Sequence, residues 1–153
     1  MKVVIIEDEM SVAQNLTDLL HEINPEIEVL AVLETIKDSI LWFQNNKAPD
    51  MAFFDIKIAD GDSFEILEGT SFHFPIIFTT AYDEYALKAF KYNSIDYLLK
   101  PINKSDLEKA ILKYQNLYIG DQAALTNNSR LLDAIKKIRE ASQDKIYKKS
   151  LLV

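Results

Sequence analysis

Met51-Ala52-Phe53-Phe54-Asp55 is four apolar residues closed by a carboxylate. A short run with no polar member predicts a strand covered on both faces, because a half-exposed strand alternates. Such strands belong to parallel sheets wrapped by helices. Three further runs resemble it: Val3-Val4-Ile5-Ile6, Pro75-Ile76-Ile77-Phe78 and Ile95-Asp96-Tyr97-Leu98-Leu99. They are followed respectively by Glu7-Asp8-Glu9, Thr79-Thr80-Ala81 and Lys100-Pro101. In a parallel sheet these ends, and Asp55, share one edge, where open α/β sheets hold their ligands.

Reading outward, strands are expected at 2–6, 27–33, 51–54, 75–79 and 95–99, and helices at 11–23, 35–46, 63–69, 83–92 and 104–118. The helices carry apolar stripes at three- and four-residue spacing. Val12, Leu16, Leu19, Leu20 and Ile23 mark the first, which Pro25 ends. Thr35 is the expected N-cap of the second, with Ile36, Ile40, Leu41 and Phe43 inward. Ser105-Asp106-Leu107-Glu108 has capping-box spacing at the start of the last, whose inward face is Leu107, Ile111, Tyr114 and Leu117. Strict alternation predicts a doubly wound, five-stranded parallel α/β sheet with five helices on its two faces. The expected strand order is the flavodoxin-like 2-1-3-4-5.

One domain is expected over 1–119, then a linker over 120–146. The linker opens polar and becomes amphipathic from about Ser129, with Leu131, Leu132, Ile135 and Ile138 on one side. The last residues, 147–153, read as the opening of a second, truncated domain. Apolar content of 48% and charged content of 27% are those of an ordinary globular domain. No apolar run approaches the ~20 residues of a membrane span, and no signal-peptide layout opens the chain. The absence of cysteine excludes disulfides and thiol catalysis and fits a cytoplasmic location. His21 and His73 are the only histidines, which disfavours zinc. The net charge of −7 divides into +3 over 121–153 and −10 over 1–120, so the main body repels nucleic acid.

Each strand-end feature has an ordinary reading on its own. Glu7-Asp8-Glu9 suits a solvated turn at a helix start, Asp55 a cap, Thr79-Thr80 a strand end, and Lys100 a surface position. Together they describe a metal-assisted, phosphoryl-accepting aspartate. Clustered carboxylates need a cation, and hard oxygens suit Mg²⁺. Asp55 is the nucleophile toward phosphorus, with the Lys57 carbonyl a further oxygen for the metal. Thr80, the Ala81 N–H and Lys100 are partners for phosphoryl oxygens. Pro101 admits a cis bond that shapes the loop. Two rival chemistries fit less well. An aspartate-nucleophile phosphohydrolase generally carries a second acid two residues after the nucleophile, where this chain has Lys57. A flavodoxin-like cofactor binder cradles phosphate in its first loop, where this chain has three acids.

Over about residues 1–118 these residues resemble the receiver domain of bacterial two-component response regulators. The run Thr80-Ala-Tyr-Asp-Glu-Tyr-Ala-Leu-Lys-Ala-Phe90, with Ile95-Asp-Tyr-Leu-Leu-Lys-Pro101, is similar to receivers joined to LytTR-type (LytR/AlgR) DNA-binding domains. The resemblance implies Asp8 as direct Mg²⁺ ligand, Glu7 acting through water, Asp55 as phosphoacceptor and the Lys57 carbonyl as third protein ligand. It implies Thr80 and Tyr97 as the switch pair and Lys100 as the lysine before a cis-proline. It also implies a sensor histidine kinase as phosphodonor, no turnover enzyme activity beyond the chain's own phosphorylation and dephosphorylation, and a homodimer formed on phosphorylation. The expected changing surface is 83–92, 95–99 and 104–118, with Tyr85, Lys88, Lys91 and Tyr92 on or near it. DNA is expected to be met only through an output domain beginning near Tyr147. A phosphorylation-independent pseudo-receiver is the alternative. The chain departs from the family in having Glu-Asp for the commoner Asp-Asp, and Ile58-Ala59-Asp60-Gly61-Asp62-Ser63 for the usual loop, with its glycine two positions early.

Overall fold

The computed structural model describes residues 1–68, 74–89, 92 and 94–118, Leu87 by its backbone alone. Lys91, the 120–146 linker with its amphipathic stretch, and the 147–153 segment lie outside the described residues. In chain order the elements are β1 (Lys2–Ile6), α1 (Met10–Ile23), β2 (Glu28–Leu33), α2 (Ile36–Asn45), β3 (Met51–Phe54), the two-residue strands β4 (Lys57–Ile58) and β5 (Gly61–Asp62), α3 (Phe64–Glu68), β6 (Ile76–Thr80), α4 (Ala86–Ala89), β7 (Ser94–Leu99) and α5 (Lys104–Tyr118).

The apolar runs form one five-stranded sheet in the order β2-β1-β3-β6-β7, and every pairing is parallel. With the five long strands renumbered consecutively this is the expected 2-1-3-4-5. Side-chain alternation sorts the core into two layers. Val3, Ile5, Phe53, Ile77 and Ile95 pack with α1 and α5 residues such as Leu16, Leu20, Leu107 and Ile111. Val4, Ile6, Ala52, Phe54, Ile76 and Phe78 pack with Ile36, Phe43, Phe64 and Ala89 on the other face. Phe53, Phe54, Phe64 and Phe78 are fully buried, each stabilising the fold by about 1.5–3 kcal/mol relative to exposure. The sheet order reverses between β1 and β3, so the crevice between their C-terminal ends is the topological switch point.

Several local expectations change. Four helices reach five residues or more, whereas the fourth in chain order, expected over 83–92, is the single turn Ala86–Ala89 among the described residues. Asp83, Glu84 and Tyr85 instead form a turn, with the Ala86 N–H donating to the Asp83 carbonyl at 3.3 Å. Leu41, expected inward, is 48% exposed. It lies five residues after Ile36, off the stripe that Ile36, Ser39 and Phe43 occupy. Thr35 does cap α2, its hydroxyl accepting from the Asp38 N–H at 3.0 Å. The Ser105–Glu108 spacing is not the cap of α5. That helix starts at Lys104, and the Asn103 side-chain oxygen Oδ1 accepts from the Asp106 N–H at 2.8 Å. The Asn103 amide returns a bond to the Asp106 carboxylate at 2.9 Å, which closes a reciprocal cap. The β4–β5 hairpin is a further element, built from the loop where the glycine is displaced.

Candidate functional site

The sheet positions the reactive residues by continuing its ladder one residue past each strand. The Glu7 N–H donates to the Leu33 carbonyl at 2.9 Å, the Asp55 N–H to the Ile6 carbonyl at 2.9 Å, and the Lys100 N–H to the Thr80 carbonyl at 2.7 Å. Three residues far apart in the chain are thereby fixed by their backbones at the ends of β1, β3 and β7, on one edge of the sheet.

Their side chains converge. Lys100 Nζ donates to Glu7 Oε1 at 2.5 Å and to Asp55 Oδ2 at 2.9 Å. Glu7 and Asp55 are buried, at 2% and 6% exposure, and Asp8 is half-buried beside them. Glu7, Asp8 and Asp55 each offer a carboxylate oxygen within 4.8 Å of the others. Burial, with the Asp55 charge adding to it, pushes the Glu7 carboxyl up to about 7, against the lowering effect of Lys100 and the Glu9 N–H. Burial draws Lys100 down, but its bonds to Asp55 and Glu7 outweigh that and hold the ammonium above its ordinary range. Cation binding favours the fully deprotonated cluster, in which three carboxylates against this one ammonium give a charge of −2. An all-oxygen donor set of that charge fits a hard dication such as Mg²⁺.

Thr80 is fully buried and its hydroxyl accepts from the Tyr82 N–H at 3.3 Å. The half-buried Tyr97 donates its hydroxyl to the Tyr82 carbonyl. Burial raises the Tyr97 phenol, and the nearby Asp83 and Glu84 charges add to it. The Tyr82 backbone therefore joins the hydroxyl and the aromatic ring that the sequence singled out separately. No residue-type signal marks such a role, because backbone groups perform it. Ala81 follows β6 directly and is exposed, and the Lys100-Pro101 bond is cis.

Lys57 opens the β4–β5 hairpin. Its ammonium lies 3.7 Å from Asp62 and 5.0 Å from the centre of the Tyr85 ring. Of the expected partner-face residues, Lys88 sits 4.8 Å above the Phe64 ring. Tyr92 stacks on Phe64 at 5.3 Å and donates to Glu68 at 3.1 Å. Tyr85, Lys88 and Tyr92 thus turn toward α3 and the hairpin. Asp60, which the sequence marks only as part of the unusual loop, accepts from the backbone N–H of Ile36 at 2.6 Å and of Lys37 at 3.3 Å.

A parallel sheet with an acidic cluster at its switch point, a buried threonine and a bridging lysine defines a receiver module. The response regulator receiver domain family matches residues 3–112, and the chain belongs to that family. The sensory transduction protein LytT of Bacillus anthracis is 36% identical over 118 residues, covering 75% of this chain and 47% of that protein. LytT of Enterococcus faecalis is 30% identical over 151 residues, covering 96% of this chain and 60% of that protein. The chain is thus similar to receivers of the LytT/LytR kind and spans about half the length of these curated relatives. The crystal structure of the response regulatory domain of protein mrkE from Klebsiella pneumoniae superposes with a TM-score of 0.70 at 30% identity, over 78% of this chain and 98% of that one. Among the described residues no helix is long and apolar enough to cross a membrane.

Proposed function

We propose that this receiver accepts a phosphoryl group onto Asp55 from the phosphohistidine of a sensor histidine kinase, in a Mg²⁺-dependent reaction in the cytoplasm. The observation that carries the reading is the Asp55 carboxylate, 2.9 Å from Lys100 and grouped with Glu7 and Asp8. Glu7, Asp8, Asp55 and the Lys57 carbonyl are the residues that hold the metal. Mg²⁺ supplies charge neutralisation for the phosphoryl oxygens during in-line transfer.

An Asp55 carboxylate oxygen forms the new bond to phosphorus as the phosphorus–nitrogen bond breaks, and the imidazole leaves with that electron pair. Lys100 is released in part from Asp55 to pair with the incoming phosphoryl oxygens. The Ala81 N–H and the Thr80 hydroxyl donate to others. The Thr80 oxygen also accepts from the Tyr82 N–H, so its movement toward the phosphoryl group pulls on the Tyr82 backbone, whose carbonyl accepts from the Tyr97 hydroxyl. The phosphoryl group thereby biases a two-state equilibrium at the surface of α4, β7 and α5. Lys57 occupies the place where a phosphohydrolase would carry its second acid and is paired with Asp62. One stored phosphoryl group per chain is therefore favoured over turnover. In the longer protein the output is regulation of transcription through an attached LytTR-type DNA-binding domain.

The test is intact mass after incubation with a small-molecule phosphodonor. A single phosphoryl adduct is expected in wild type with Mg²⁺, and none in Asp55→Asn or with chelator. Folded wild type that takes up no phosphoryl group under any condition would overturn the reading and leave a phosphorylation-independent interaction module.

A further inference from the structure

We propose that Asp60 is a positioning residue, which clamps the β4–β5 hairpin to the start of α2 and so holds the Lys57 carbonyl in place for the cation. The inference rests on the metal-site reading above. Asp55 and Lys57 are separated by one residue, and Lys57 is the first residue of the hairpin. The hairpin is only two residues per strand, Lys57 opposite Asp62 and Ile58 opposite Gly61. An isolated hairpin this small does not hold its own shape in water. Something outside it must.

The outside support is α2. The two oxygens of Asp60 take the first two helical N–H groups, Ile36 at 2.6 Å and Lys37 at 3.3 Å, across sequence gaps of 24 and 23 residues. These donors lack partners within the helix, and an anion there is favoured by the helix dipole. The next residue, Gly61, has φ of +145°, and a Cβ on it would lie 3.1 Å from Ile36 Cδ1 and 2.9 Å from Glu65 Oε2. The displaced glycine therefore lets the hairpin lie against α2 while Asp60 holds it there. The Lys57 side chain is drawn to Asp62 and the Tyr85 ring. The Lys57 backbone is thus restrained through the hairpin at one end and by its own side chain at the other.

Calorimetric titration of the 153-residue chain with Mg²⁺ tests this, using Asp60→Ala, Asp60→Asn, Thr35→Ala and Asp8→Ala. Asp60→Ala is expected to weaken binding about tenfold, the low end of what is lost when a metal ligand's supporting partners are removed. Asp60→Asn should fall between it and wild type. Thr35→Ala removes the cap of α2 but leaves the clamp, so its Mg²⁺ affinity should match wild type. In wild type, Mg²⁺ should also slow hydrogen exchange at the Ile36 and Lys37 amides, because coupling between two sites is reciprocal. Unchanged affinity in Asp60→Ala, or an equal loss in Thr35→Ala, would overturn the proposal while leaving the metal site intact. If Asp60→Ala does not fold, unchanged affinity in Asp60→Asn has the same meaning. Wild type that binds no Mg²⁺, or binds it equally after Asp8→Ala, would overturn the metal-site reading and this inference with it.

Discussion

Lys100 holds together two buried carboxylates that would otherwise repel. Removing it leaves Glu7 and Asp55 without their shared cation. Lys100→Ala is expected to destabilise the chelated protein by about 2 kcal/mol, below the ~3–5 kcal/mol for breaking a fully buried pair, because the Lys100 side chain keeps 18% exposure. A dication entering the same cluster replaces part of that charge. Mg²⁺ should therefore raise the melting temperature of Lys100→Ala more than that of wild type, and thermal unfolding with chelator and with Mg²⁺ checks it. Glu7 adds a pH dependence. Its carboxyl is raised from 4.5 to about 7 by burial and then by Asp55, so in that window the folded chain binds more protons than the unfolded one. Stability of the metal-free protein must then fall as pH rises through the window. Urea unfolding between about pH 5 and pH 8 should show this decline, and Glu7→Gln should flatten it. A wild-type profile that rises over this range would contradict the burial argument.

At the level of elements, caps decide where helices begin, and their residue types are only partly diagnostic. Serine, aspartate and asparagine near a helix start compete for the same role. Ser105 and Asn103 are both suitable, and the structure uses Asn103. Asn103→Ala is expected to cost about 1 kcal/mol and Ser105→Ala only a few tenths. Denaturant midpoints of the two variants would reverse in order if Ser105 were the cap. Helical period was more informative than capping. It placed Leu16, Leu20, Leu107, Ile111 and Tyr114 on the buried faces that they occupy. It misplaced Leu41 because the four consecutive apolar residues Ile40-Leu41-Trp42-Phe43 admit more than one stripe. The turn ahead of α4 was illegible for another reason. Asp83-Glu84-Tyr85 suits a helical first turn by composition, whereas the Tyr85 contacts with Phe64 and Lys57 come from distant segments.

At the scale of the molecule, exposed apolar residues on different elements lie on or next to the segments expected to change on phosphorylation. Tyr82 is 47% exposed, Leu99 36% and Leu112 51%. If phosphorylation shifts these segments toward self-association, the beryllofluoride-treated chain with Mg²⁺ should sediment as a dimer. Untreated chain and Asp55→Asn should sediment as monomers, and Leu112→Glu should weaken the treated dimer. A treated chain that stays monomeric at high concentration would remove dimerisation from the proposed output.

The sequence by itself determined the sheet, because β1, β3, β6 and β7 each contain a short apolar run and the helical stripes between them leave only a parallel arrangement. It also determined that Glu7, Asp8, Asp55 and Lys100 meet, since they all stand just beyond strand ends, and parallel strands bring those ends to one edge. The tertiary structure alone decided how the site is braced. The Tyr82 backbone between Thr80 and Tyr97, the Asp60 carboxylate on α2 and the close fit of Gly61 beside Ile36 are made by backbone groups or across long sequence gaps. Periodicity reports which way a side chain faces within its own element. It carries no record of which distant peptide group completes a hydrogen bond, and that is settled only when the elements pack.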